Sequence, residues 1–132
     1  MQVWFLHISP VWQNFREYIM QIITDITEIN FEKLESFVYN HPHGNFLQST
    51  KAYSFFQSAE NHEPVLLVAK EGNEIAGSLL AVMMKEKGIK GYFSRRCIVW
   101  DGPLVKDENT DTVHGLLNKL NQIVYLKAIY TE

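Results

Sequence analysis

The chain has 132 residues, of which 46% are hydrophobic and 20% are charged, and its formal net charge is −3. This length is typical of one domain with its own hydrophobic core. The small negative charge excludes an overall positive field, so we expect no general nucleic-acid binding and no attraction to anionic lipid.

Cys97 is the only cysteine, which excludes an internal disulfide and a structural zinc site made of several thiolates. A buried thiol on a strand is the expected role, and a reactive thiol is the alternative. The apolar run in residues 1–10 ends at Pro10, and no Lys or Arg precedes it. We therefore expect neither a signal peptide nor a membrane span, and a cytoplasmic protein.

The first predicted element is a short amphipathic helix that begins at Ser9 and Pro10, a favourable pair for a helix start. A short strand over residues 21–26 follows it. Because the recognisable pattern starts near Met20, we divide the chain into an extension, residues 1–19, and a domain, residues 20–132. The extension is interpreted as an appendage or as the product of an early start codon.

Two short helices are predicted next. Asn30 can cap a helix that ends near Asn40, because Pro42 disfavours helical geometry at His41. After the loop HPHGN, either Ser49 or Thr50 can cap a second helix through Ser58. Apolar residues at helical spacing support both helices: Phe31, Leu34, Phe37 and Val38 in the first, and Tyr53, Phe55 and Phe56 in the second.

From Pro64 onward the apolar pattern changes to that of strands. The run VLLVAK, a turn at Gly72-Asn73 and the run IAGSLLAVMMK predict a hairpin. A turn at EKGIK leads to a third strand, GYFSRRCIVW, which Asp101-Gly102-Pro103 ends. The sequence therefore predicts an α+β fold in which two short helices precede a three-stranded antiparallel meander.

A C-terminal amphipathic helix is predicted over residues 111–130, with Thr110 or Asp111 as its cap. Its apolar face is predicted to consist of Val113, Leu116, Leu117, Leu120, Val124 and Ala128. Four further apolar residues lie around its other sides and need burial: Ile123, Tyr125, Leu126 and Ile129. These residues and the open edge left by the third strand predict a homodimer. No end signal follows Tyr130, so a missing C-terminal half is the alternative partner.

Two stretches of sequence carry a resemblance to a known family. HPHGNFLQSTKAYSFF resembles the helix-loop-helix of FemAB-like proteins, the peptidoglycan-bridge aminoacyltransferases of the GNAT acyltransferase superfamily. GYFSRRCIVWDGPLV resembles the family's strand that ends in an arginine, a short apolar run and a Gly-Pro turn. The order of the elements is similar to the first half of a GNAT domain, so the resemblance implies a partial GNAT-like fold over residues 20–132.

The resemblance implies transfer of an acyl or aminoacyl group to an amine of a cell-wall precursor or a related acceptor. Arg95, Arg96 and Gly102 are the substrate-binding residues that it implies, although adjacent strand residues face opposite sides and only one arginine can join a given pocket. The alternative is an ion-paired arginine beside a solvated one. No catalytic residue can be assigned.

Other features limit the function that the sequence predicts. The segment DGPLVKDENTDT is acidic and lacks a Gly-x-Gly arrangement for a pyrophosphate, so no cofactor is expected and coenzyme A binding in the usual manner is disfavoured. His41 and His43 could approach one metal ion, but the alternative of two histidines that face water in a tight loop is preferred, and no metal is expected. We therefore predict an acyltransferase unit that is inactive alone, or else a non-catalytic binding or self-association module derived from that fold.

Overall fold

The computed structural model describes residues 20–84, 96–100 and 102–130, and for Arg96 and residues 127–130 it describes the backbone only. This part of the chain is α+β, with three α-helices and an antiparallel sheet of five strands. The predicted helix after Ser9, the predicted turn at EKGIK and the first half of the predicted third strand lie outside the described residues.

Each helix begins at a polar side chain that accepts a hydrogen bond from a free backbone amide. Asn30 caps α1, Phe31–Asn40, by accepting from Lys33 N, and Ser49 caps α2, Thr50–Ser58, by accepting from Ala52 N. These two predicted caps are confirmed. Asn109 rather than Thr110 or Asp111 caps α3, Thr110–Tyr130, since its Oδ1 accepts from the amides of residues 111 and 112.

The sheet is built around one long hairpin, β2 (His62–Glu71) and β3 (Glu74–Met84). β1, Met20–Ile23, pairs with β2 on one side. On the other side β3 pairs with two short strands in succession, β4 (Arg96–Val99) and β5 (Leu104–Val105). All pairings are antiparallel.

Both faces of the hairpin are buried, so its apolar residues run nearly without interruption. Leu66, Val68 and Leu80 face α1 and α2, where they pack with Leu34, Val38 and Tyr53. The alternate residues, Leu67, Leu79 and Ala81, face α3 and pack with Leu116 and Leu120. The domain therefore consists of three layers, with helices on both sides of the sheet.

Two details of the predicted fold are corrected. The predicted antiparallel meander is confirmed as β2, β3 and β4, but the sheet has five strands rather than three, because β1 pairs with β2 and β5 pairs with β3 after the interruption that follows Val99. Leu117, which the pattern assigned to the buried face of α3, is 38% exposed, whereas its neighbour Leu116 is fully buried. The other described members of the predicted face do pack in the core between α3 and the sheet, and Ile123, which the pattern placed on another side, packs with them.

Gly44 lies where the loop after α1 turns back against the helix. Its amide donates to the carbonyl of His41, and a Cβ at this position would lie 1.9 Å from the carbonyl oxygen of Val38. No side chain fits at that distance, so the loop depends on glycine for space. By contrast, a Cβ on Gly72, in the β2–β3 turn, would meet no atom within 4 Å.

We expect Gly44→Ala to lower the free energy of unfolding by about 3 kcal/mol, because the backbone of α1 or the loop must move to admit the methyl group. Gly72→Ala is the matched control. It adds only the strain of a positive φ of 61°, about 1 kcal/mol. Urea denaturation of both variants checks this, and equal losses would contradict the steric explanation.

Candidate functional site

Two of the three predicted substrate-binding residues, Arg96 and Gly102, lie toward opposite ends of β4 along the chain. Arg95 is outside the described residues, and Arg96 is the first residue of β4, where its backbone pairs with Met84. Gly102 lies beyond the end of β4, with a positive φ of 72°, and a Cβ there would meet no atom within 4 Å. The structure thus gives a backbone position to Arg96 and Gly102, and their role in binding stays a prediction.

The chain around Gly102 forms an irregular turn between two strands. Val99 pairs with Ala81 and Leu104 with Ser78, so the chain from Val99 to Leu104 passes only Leu79 and Leu80 of β3. The extra residues must leave the ladder, as in a β-bulge, and the positive φ of Gly102 serves this change of direction. We call Trp100, Gly102 and Pro103 the strand interruption; Asp101 lies outside the described residues.

Gln48 connects the strand interruption to the helix-loop-helix. This side chain is 2% exposed. Its Nε2 donates to the carbonyl oxygen of Gly102 at 3.0 Å, and its Oε1 accepts from the backbone amide of Asn45 at 3.2 Å. Because a buried amide costs free energy unless it is hydrogen-bonded, these two bonds fix the relative position of the segments.

His41 makes a second connection between the same segments. Its Nδ1 accepts from the backbone amide of His43 at 3.0 Å, and its Nε2 lies 2.8 Å from the carbonyl oxygen of Val105. A carbonyl can only accept, so the proton of the neutral ring is on Nε2. The expectation that both histidines face water was therefore wrong for His41, which is half-buried, and right for His43, which is exposed.

Glu35 fixes α2 to α1. Its Oε1 accepts from the backbone amide of Thr50 at 2.8 Å and also from the Thr50 hydroxyl. Thr50 is the first residue of α2, so this carboxylate lies at the positive end of the helix dipole. The helix-loop-helix is thus held by hydrogen bonds at both ends.

An open cleft of about 1050 Å³ lies beside His41. Its walls come from α1, the His41–His43 loop, the β2–β3 turn and residues 106–108. Four carboxylates line it, with only two lysines against them: Glu32, Glu74, Asp107 and Glu108, with Lys33 and Lys106. The negative excess disfavours an anionic ligand and suits a cationic one.

The described residues contain no group of three or more His, Cys, Asp or Glu side chains that could hold a metal ion. The hydrogen bonds of His41 agree with this, because both of its ring nitrogens have partners in the protein. Cys97 is half-buried, and burial raises the pKa of its thiol. A raised pKa leaves little thiolate near neutral pH, which disfavours a nucleophilic role for Cys97.

The N-terminus of α3 is already occupied by protein groups. The side chain of Asn109 accepts from the amides of Asp111 and Thr112, and three carboxylates lie close to it in sequence, on Asp107, Glu108 and Asp111. Negative charge at this end of a helix opposes a second anion. These carboxylates would therefore repel a pyrophosphate at the N-terminus of α3, whereas a helix N-terminus with free amides can bind one.

Comparisons with protein-family models, with curated proteins and with solved structures give no match to this chain. Within the part of the chain that the structure describes, no helix has both the length and the hydropathy needed to cross a membrane.

Sequence reasoning identified the two segments at this site but missed the side chains that join them. Gln48 was noted as part of a resemblance, whereas its contact with Gly102 depends on a fold that brings distant residues together. Asn45 and Gln48 do have the spacing of a capping box, and this local signal could have indicated that Gln48 points back toward its own loop. Glu35 offered no signal beyond its place on a helix.

We expect Gln48→Leu to lower the free energy of unfolding by about 1–3 kcal/mol, because the similar volume fills the site but leaves the Gly102 carbonyl and the Asn45 amide unpaired. Gln57→Leu is the control, since Gln57 is exposed on α2 and should change stability by less than about 0.5 kcal/mol. Chemical denaturation of both variants measures the difference. A loss no larger than that of the control would show that the bridge contributes nothing.

We also expect ¹⁵N-edited NMR of the histidine rings to show His41 as the neutral Nε2–H tautomer. The carbonyl of Val105 requires a donor, and the His43 amide requires an acceptor. His114, exposed on α3, provides a reference ring, and His41→Gln assigns the signal. A proton on Nδ1 would contradict both hydrogen bonds.

Proposed function

We propose that this chain is a FemAB-like acyl- or aminoacyltransferase unit of partial GNAT type, which does not catalyse transfer by itself. The single observation that carries the proposal is the hydrogen bond from Gln48 to Gly102. It joins the two stretches of sequence that resemble this family, so the resembling residues form one contiguous feature. Two unrelated local similarities would have no reason to meet in the fold.

The order of elements supports the same proposal. The chain runs β1, α1, α2, β2, β3, β4 with β5, and then α3, which is the order that the resemblance implies. Architecture of this kind is an argument by analogy and needs a biochemical test.

The acidic cleft supports an amine as the acceptor. A lysine side chain or another primary amine is cationic at neutral pH, and the carboxylates of Glu32, Glu74, Asp107 and Glu108 would attract it. Arg96 pairs with Met84, at the opposite end of β3 from Glu74, so Arg96 and Gly102 are proposed to contact parts of the substrate that lie outside the cleft. Cell-wall precursors that carry a free amine are the acceptors that this chemistry suits.

The donor is the part of the reaction that the described residues do not provide. Asn109 caps amides at the N-terminus of α3, and three carboxylates lie close to them in sequence, so these amides are poorly suited to coenzyme A. We therefore propose that a second protein unit supplies the donor site in the cytoplasm. The same observation favours a second candidate function, a binding module that retains the acceptor side and catalyses nothing.

The test is an NMR titration of the whole chain with a lysine-containing peptidoglycan stem peptide. We expect the amide signals of Gly102 and Glu74 to shift, because the former is a proposed contact and the latter lines the acidic cleft. The backbone amide of Ser54, exposed on α2, is the internal control. A matched peptide with acetylated lysine should bind about tenfold more weakly once its charge is removed.

A parallel assay measures transfer from acyl-coenzyme A and from aminoacyl-tRNA to the same peptide. No turnover above background is expected from the chain alone. Turnover that is lost in Arg96→Ala would contradict the proposed inactivity and assign Arg96 to the site. If the Gly102 and Glu74 signals do not change at the highest peptide concentration, the chain does not bind the proposed acceptor. The transferase proposal would then be wrong as well.

A further inference from the structure

The outer face of α3 exposes large apolar side chains that nothing else in the described residues covers. Leu117 is 38% exposed, Tyr125 66% and Leu126 52%. The opposite face of the same helix is buried against the sheet through Leu116 and Leu120. The helix therefore has two apolar faces, and only the inner one has an identified partner.

The exposed residues of this face form two parallel ridges of the kind that pack between helices. Leu117, Asn121 and Tyr125 follow one another at intervals of four residues, and so do Asn118, Gln122 and Leu126. Residues four apart stand side by side on a helix, and such rows interlock with the equivalent rows of another helix. We call these six residues the outer ridges of α3.

Charge indicates which partner the outer ridges suit. None of the six residues is charged, and Lys119, the charged residue between His114 and Leu126, is half-buried. In a two-fold dimer each group near the axis meets its own copy, so a charge there would be repelled. A neutral surface avoids this repulsion, whereas the exposed positions of α1 include Glu32 and Lys33.

The polar members of the outer ridges also suit a self-pairing surface. A side-chain amide both donates and accepts, so Asn118, Asn121 and Gln122 can each bond to an identical group. A carboxylate or an ammonium group cannot. An asparagine between apolar positions of paired helices is a known means of fixing their register, and Asn121 lies between Leu117 and Tyr125.

We propose that the outer ridges of α3 form the interface of a two-fold homodimer, in which α3 packs against α3 of a second copy. The strand edges are not used in this arrangement. The interface is independent of the transferase proposal, because it lies on a different face from the cleft and from the strand interruption. In this dimer, the second copy buries Leu117, Tyr125 and Leu126.

Analytical ultracentrifugation of the full chain over a wide micromolar dilution series tests this interface. We expect a species of twice the 15.4 kDa monomer mass, which dissociates on dilution. Tyr125→Glu introduces a carboxylate on each copy close to the two-fold axis and should raise the dissociation constant at least about tenfold. Tyr39→Glu is the matched control, since Tyr39 is 89% exposed on α1, and it should leave the constant unchanged.

Cross-linking locates the interface independently of any change in stability. Asn121→Cys, made together with Cys97→Ser, should form a disulfide between two copies under mild oxidation. Gln57→Cys in the same background places the thiol on α2, away from the proposed interface, and should form no disulfide between copies. Circular dichroism verifies that each variant is folded.

Three results would overturn the proposal. The first is a monomer mass over the whole dilution series. If Tyr125→Glu lowers the melting temperature of that monomer, another part of the same chain covers the outer ridges. The second is a dimer that Tyr125→Glu and Tyr39→Glu weaken equally or not at all, which assigns the interface elsewhere. The third is cross-linking of Gln57→Cys at the rate of Asn121→Cys.

Discussion

The pairing of β2 with β3 is the constraint on which the other elements depend. Its register, from His62 with Met84 to Glu71 with Glu74, determines which residues point toward α1 and α2 and which toward α3. A shift by one residue would exchange Leu66 and Leu80 with Leu67 and Leu79 and present each helix with the wrong set of side chains. Since both faces are buried, neither layer of helices can form correctly unless the hairpin has this register.

α3 comes close to the sheet at Gly77 of β3. A methyl group there would lie 2.9 Å from Cγ2 of Thr112 and 3.0 Å from the Leu104 carbonyl oxygen. The absence of a side chain at this point of β3 lets the first turn of α3 rest on the sheet beside β5. The same first turn touches β1, where the Thr112 hydroxyl lies 3.7 Å from the sulfur of Met20. Thr112 is fully buried as a result.

The elements that sequence predicted well are those decided by nearby residues. α1 has its cap at Asn30 and its end before Pro42, and the β2–β3 hairpin has Gly72-Asn73 at its turn. The strand interruption and the place of β1 depend on partners far away in sequence, so local patterns could not determine them. His41 illustrates the same limit at the candidate site, because its position in a polar loop suggested a solvated ring and only the fold brings it to Val105. The apolar face of α3 was ambiguous because the helix is apolar on two sides.

β2 pairs with β1 and with β3, and the two pairings differ in how much chain must be ordered to form them. The pairing of Met20 with Glu71 encloses α1, α2 and the loops around them, whereas β2 and β3 are joined by a tight turn. Closing the larger loop costs more entropy and gives only the few hydrogen bonds of a four-residue strand in return. β1 should therefore separate from the sheet in local fluctuations that leave β2 and β3 paired, which amide hydrogen exchange would register as weaker protection at Ile22 than at Leu67. Each such opening would uncover Gly115 of α3, whose missing side chain leaves room for Met20 and Ile22, so solvent would reach the interior along the side of the sheet formed by β1.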